Sequence, residues 1–257
     1  MKSSFHLAAA SFLALALAAH AGVTLTQSMQ ELGGQKPATT TTIRLDKDRV
    51  RMDMGQNPDT YMIYRGDKKV FWTVDLKGKT YMEMTEKDFE EMTAKMNEAM
   101  KQMQAQIQNM PPERRKMMEE MMAKMMPGGK ASKTSYRKLG DGGKVGRWAT
   151  EKYEGTRDGT KVSELWTVAP KAIGIGEEDV LVLKDMGKFF EKFAKDFSGM
   201  IGNQENGLQG VPVKTVAFKD GAARWQSELK DVKKEDLAAS LFEIPAGLAM
   251  KTMKKPE

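Results

Sequence analysis

The sequence predicts an α+β fold in which a curved antiparallel sheet packs on helices and carries an inserted methionine-rich helical hairpin. Three observations predict it. Short runs that alternate polar and apolar residues recur between turns rich in Gly and Asp, as in a meandering sheet. The stretch 85–126 breaks this pattern: it has no glycine and spaces its apolar residues three and four apart, the period of a helix. Strands then resume, and a second helical pattern follows at 177–197.

Residues 1–21 read as a signal peptide, with Lys2 as the charged start, an apolar run over 7–19 and Ala19-His20-Ala21 as the cleavage signal. That apolar run is about 13 residues, short of the roughly 18 to 20 needed to span a bilayer. A single domain over 22–257 in a bacterial periplasm is therefore expected, not membrane-spanning, with its hairpin insert at 85–130. A polar leader containing Gly33 and Gly34 precedes the first hairpin, 39–54, where Ile43, Leu45, Val50, Met52 and Met54 alternate around Asp46-Lys47-Asp48. Strands at 60–64, 70–74 and 79–84 follow across Gly66-Asp67 and Leu76-Lys77-Gly78.

Thr85-Glu86-Lys87-Asp88 resembles a capping box with Asp88 in the place of the usual Glu. It opens a helix whose stripe is Phe89, Met92, Met96, Met100, Met103 and Ile107. Pro111-Pro112 interrupts that helix and suits the first turn of a second one, which carries Met117, Met118, Met121 and Met122 and stops at Pro127-Gly128-Gly129. Strands are expected at 134–139, 145–153 and 161–168, with a turn at Gly140-Asp141-Gly142-Gly143. The helix at 177–197 places Leu183, Met186, Phe190, Phe193 and Phe197 on one face. Strands at 211–218 and 223–232 and a short helix near 234–240 complete about nine or ten strands.

Composition excludes more than it names. Both histidines, His6 and His20, lie in the leader and the chain has no cysteine, which removes thiol and imidazole nucleophiles, haem ligation and ordinary zinc sites. No disulfide is available, so a hydrophobic core must hold the domain together. Catalytic motifs fail on context. Gly78-Lys79-Thr80 lacks the first glycine of a phosphate loop, Ser227-Glu228-Leu229-Lys230 lies in a strand, and Asp46-Lys47-Asp48 is followed by Val50 where a calcium loop needs a ligand. No enzyme activity, cofactor or metal site is assigned. The export signal disfavours nucleic acid, and the net charge of +6 gathers in the stretch from Lys130 to Arg147 and the tail, a patch suited to anionic head groups, an acidic partner or plain solvation.

Of 22 methionines, 13 lie between Met82 and Met126, so their role decides the reading of the hairpin. Thioethers fill helical cores, form deformable apolar surfaces for acyl chains or varied partners, and ligate soft cations such as Cu(I). All four tryptophans fall in expected strands, Trp72, Trp148, Trp166 and Trp225, where they either pack under the 177–197 helix or line an apolar concavity. The candidate ligand-binding residues are Trp72, Trp166, Trp225, Phe190, Phe193, Met92, Met96, Met100, Met117 and Met121.

Several segments taken in order carry a family likeness: Gly78-Lys79-Thr80-Tyr81, the run from Gly146 to Tyr153, Glu164-Leu165-Trp166-Thr167-Val168, Gly210-Val211-Pro212-Val213, and Phe242-Glu243-Ile244-Pro245-Ala246-Gly247. Together with the turn from Met110 to Arg114 they resemble the domain of unknown function 4412 family, exported bacterial proteins that resemble the LolA/LolB type of lipoprotein carrier. The resemblance implies a half-open antiparallel barrel wrapped around helices, with an apolar concave face able to take lipid. Thr150 stands where the family often has a Cys, so no thiol-dependent role is implied. The function expected is non-catalytic binding of a hydrophobic small molecule or acyl chain. A Met-rich Cu(I) or Ag(I) binder, or a module whose hairpin docks an envelope protein, are the alternatives.

Overall fold

Alternating side chains and short turns let each half of the chain fold as a meander, and a single N-terminal strand joins the two. The computed structural model describes residues 21–125, 134–191 and 206–252, the side chains of 21, 119–125, 177 and 191 excepted. Residues 1–20 of the expected signal peptide 1–21, the end of the expected helix 177–197 with Phe193 and Phe197, and the expected stop at Pro127-Gly128-Gly129 lie outside the described residues.

The first meander comprises β1 (Ala21–Glu31), β2 (Thr39–Asp46), β3 (Arg49–Met54), β4 (Thr60–Arg65), β5 (Val70–Asp75) and β6 (Thr80–Thr85). The second comprises β7 (Ser135–Val145), β8 (Trp148–Arg157), β9 (Thr160–Val168), β10 (Val211–Lys219) and β11 (Ala222–Asp236), and the two-residue β12 (Ala249–Met250) follows. Antiparallel pairing of β1 with β11 fuses the halves into one 12-stranded sheet of order β12-β6-β5-β4-β3-β2-β1-β11-β10-β9-β8-β7. The sheet is large, curved and unclosed. β12 adds in parallel to β6 at one edge, and β7 forms the other.

Among the described residues three α-helices accompany it: α1 (Glu86–Gln108), α2 (Pro112–Met125) and α3 (Glu177–Glu191). The capping box forms as its sequence indicates. The Thr85 hydroxyl accepts from the Asp88 amide while the Asp88 carboxylate accepts from the Thr85 amide, so two otherwise orphaned donors at the start of α1 are satisfied. At the turn between α1 and α2, Arg115 donates to the carbonyls of Gln108 and Met110 at 2.8 and 3.2 Å.

Several expectations are corrected. The polar leader is in fact β1, whose Val23 and Leu25 are buried; too few apolar residues alternate there to announce a strand, and its pairing with both β2 and β11 supplies the rest. The expected turn at Gly140–Gly143 is strand, because bulges at Lys138/Gly140 and Asp141/Gly143 absorb the glycines, and the chain turns instead at Gly146-Arg147. The expected helix near 234–240 is the end of β11 followed by a 3-10 turn, Ala239–Phe242.

Each face of the sheet has its own cover. On one, the helix-bearing face, Val182, Met186, Phe189 and Phe190 of α3 and Phe89 of α1 pack over Leu45, Val50, Tyr64 and Phe71. The rings meet edge to face: Phe189 lies 5.5 Å from Tyr64, 5.1 Å from Phe89 and 5.3 Å from Phe190, and Phe190 lies 4.8 Å from Phe71. On the other face the segment after β11 lays the fully buried Phe242 among Tyr61, Ile63, Val70, Trp72 and Val74. Arg65, almost wholly buried, holds that segment by donating to the Phe242 carbonyl at 3.3 Å and to the carboxylates of Asp67 and Glu243. Arg51 stacks 3.7 Å over Tyr61 and donates to the Leu241 carbonyl.

Candidate ligand-binding face

Strand register sorts the helix-bearing face of β1–β6 into rows of directly opposed residues. Val23, Leu45, Val50, Tyr64, Phe71 and Met84 form the first row, and all but the half-buried Met84 are buried beneath α3 and Phe89. Two residues along each strand, Leu25, Ile43, Met52, Met62, Thr73 and Met82 form the second. Only Leu25 of that row is buried; the other five are half-buried, and Ile43, Met52 and Met62 pack against the main core by part of their surface. Farther along the same face, Met29, Met54 and Trp225 are 36%, 46% and 48% exposed. Apolar surface therefore continues past the edge of its own cover, graded from an aromatic-packed interior to open side chains. Its uncovered part consists mainly of thioethers, which adapt to differently shaped partners.

The sequence-derived site residues fall in several places. Trp225 stands at the open end of this face, opposite Glu31. Phe190 is buried in the packed interior, and Met92, one turn beyond Phe89, packs half-buried against the same core. Trp72 points to the opposite face, under Phe242, where its indole donates to Glu83 at 2.8 Å. Met96 and Met117 are 45% and 64% exposed and Met100 is half-buried, so this part of the helix pair presents thioethers to solvent. The backbone of Met121 belongs to α2, but its side chain, like all of Phe193, lies outside the described residues. The α3 stripe keeps Met186 and Phe190 of the expected one and adds Val182 and Phe189. It centres on Val182, Met186, Phe189 and Phe190, with Leu183 at its margin and Leu181 exposed.

Trp166 belongs to the second meander. It packs against the main core while Lys152 and Lys214 each place an ammonium 4.8 Å from the centre of its ring. Lys152 also pairs with Glu164 at 3.1 Å, and Glu164 accepts from Lys161 at 2.6 Å. Burial raises the Glu164 carboxyl, but these two lysines outweigh it and hold the group below its ordinary range. Gly142 backs this ring: a Cβ there would stand 2.9 Å from Trp166 Cδ1 and 2.6 Å from the Thr150 hydroxyl, so only glycine lets the bulged β7 pass.

The row Met52, Met62 and Met82 is what sequence reasoning missed. Its signal was present, since the alternation of 39–54 already set Met52 beside Ile43. Only register shows that three strands contribute methionine to one line.

A separate cleft of about 430 Å³ opens beside the covered row, with Tyr64, Val182 and Phe189 as its apolar floor. Its rim carries Asp48, Asp67, Glu86 and Asp185 with Lys69 and Lys188. Burial, together with the carboxylates of Asp185, Glu86 and Asp48, pushes the Tyr64 phenol up to about 12. Among the described residues no cluster of acidic side chains is arranged to hold a metal ion, and no helix is long and apolar enough to cross a membrane.

Residues 89–248, more than half of the chain, match the family model described as Domain of unknown function (DUF4412). The chain belongs to this family. No curated protein matches the sequence. Among solved structures, two crystal forms of PNGF-II each show 10% identity over 91% of this chain, with TM-scores of 0.38 and 0.39. The chain spans about a third of the PNGF-II length, 31% and 32% in the two forms. A LolA superfamily protein from Nitrosomonas europaea is 7% identical, with a TM-score of 0.30, over 87% of this chain and 90% of that one.

Proposed function

We propose that this DUF4412 protein is a non-catalytic module of the bacterial periplasm that holds a hydrophobic ligand, a lipid or acyl chain, on the helix-bearing face of its open sheet. The observation that carries the reading is the row Ile43, Met52, Met62 and Met82, which lies beside a buried apolar row yet is only half-buried and runs into the exposed Met29, Met54 and Trp225. An acyl chain laid across it gains roughly 0.8 kcal/mol per methylene buried, which requires no reactive group. Flexible thioethers would let one surface accept chains of different shape. The signal-like leader at 1–21 supports export.

Native mass spectrometry of protein purified from a periplasm, with titration by a fluorescent fatty acid, tests the reading. Bound lipid or saturable uptake is expected, weakened when Met52 and Met62 are both changed to Gln. Consistently bare protein with no uptake would overturn it. The exposed thioethers Met96, Met103 and Met117 favour a second reading, soft-metal capture by the helix pair. Ag(I) titration separates the two, because changing these three to Leu would abolish metal binding and leave fatty acid uptake intact.

A further inference from the structure

The cleft over Tyr64 has features that an acyl-chain site does not need. Tyr64 is 4% exposed, and its hydroxyl has no hydrogen-bond partner among the described residues. Tyr64 lines the cleft, so its hydroxyl is free to take a ligand in place of water. The charges acting on that hydroxyl are those of Asp185, Glu86 and Asp48, all three on the rim of the same cleft. Neighbouring cations already engage most of the rim: Lys188 lies 3.5 Å from Asp185, Arg49 lies 3.4 Å from Asp48, and Arg65 holds Asp67 at 2.6 Å. Glu86 has no ion-pair partner among the described residues. The floor below is apolar and aromatic, formed by Phe189 and Val182 with the Tyr64 ring.

We propose that this cleft binds a small organic ammonium ion, with its charge facing Glu86 and Asp185, an N–H donating to the Tyr64 oxygen, and its apolar body on Phe189 and Val182. A charged donor bonds the phenol oxygen more strongly than a neutral one, since charge-assisted hydrogen bonds are the stronger kind. The aromatic floor adds attraction for a cation and shelter for a hydrocarbon group. At about 430 Å³ the cleft falls within the usual size range of small-molecule sites. Lys69 and Lys188 are the rim cations that oppose such a ligand, Lys188 being the one paired with Asp185. This site is separate from the methionine row and does not depend on the function proposed for it.

Calorimetric titration of the full chain at low salt with phenethylammonium chloride tests the proposal, with neutral 2-phenylethanol and tetramethylammonium as comparators. Phenethylammonium should bind saturably, and both comparators about tenfold or more weakly, one lacking the charge and the other the N–H donor and aromatic body. Glu86→Gln, at an exposed position, and Tyr64→Phe, which removes only the hydroxyl, should each weaken binding about tenfold while thermal unfolding confirms that both variants are folded. Lys69→Met should leave binding intact or tighten it. Absence of saturable binding, equal affinity for 2-phenylethanol, or unchanged affinity in the folded Glu86→Gln variant would overturn the proposal.

Discussion

Replacing Phe189 with Ala removes the ring on which the helix cover turns, because Phe189 meets Tyr64 of the sheet, Phe89 of α1 and Phe190 of its own helix edge to face. Truncating a buried Phe to Ala costs about 3–5 kcal/mol from lost transfer energy and the cavity left behind. Phe189 also forms part of the cleft floor, so water can enter the vacated space and relieve part of the cavity penalty. The expected loss is therefore near the lower end, about 3 kcal/mol. For a domain of this size that lowers Tm by about 6–12 °C. Urea unfolding followed by circular dichroism reads the change as a lower midpoint at unchanged slope. A double-mutant cycle with Phe89→Ala should give a coupling of about 0.5–1.5 kcal/mol, the part specific to the ring pair. A loss below about 1 kcal/mol, or strict additivity of the two changes, would refute the claim that these rings fasten α1 and α3 to the sheet.

Three further outcomes follow from the same contacts. Phe242→Ala should cost about 3–5 kcal/mol in the same assay, since a fully buried ring pins the C-terminal segment to the sheet; a near-neutral result would show that the segment is held by Arg65 and Arg51 alone. Thr85→Ala should cost about 1 kcal/mol and speed hydrogen exchange in the first turn of α1, whereas unchanged exchange would mean that the capping box adds nothing there. Stability should also fall in acid. The hydrogen bond from Arg65 holds Asp67 below its ordinary range, and Glu243, although raised by burial, is brought lower still by Arg65 and Lys68. The folded state thus binds fewer protons than the unfolded one, and the stabilisation present above the ordinary carboxylate range is lost as pH falls through the depressed values. Unfolding midpoints measured from pH 6 downward should show this limb, about pH 4 and below, and Asp67→Asn with Glu243→Gln should flatten it.

Legibility followed the range of the interactions involved. Pairs of strands joined by tight turns, such as 39–54, were readable because turn residues and alternation act between near neighbours. So was the capping box, which is complete within Thr85 to Asp88. The bulged β7 was not, because whether Gly140-Asp141-Gly142-Gly143 turns or continues depends on β8 across from it and on the Trp166 ring that occupies the space beside Gly142. β1 was missed for the same reason: most of what makes it a strand is its two partners.

The amino-acid sequence by itself determined that the chain has no cysteine and no histidine beyond His20, that strands give way to a long methionine-bearing helix at Thr85, and that tryptophans sit within its strands. Periodicity and composition are properties of neighbouring residues, and they need no fold to be read. Tertiary structure alone decided which methionines share a surface, that Trp72 and Trp225 look to opposite sides of one sheet, and that Phe189 joins Phe190 over its centre. Those facts depend on register and on helix rotation, where a shift of one residue moves a side chain from the core to solvent.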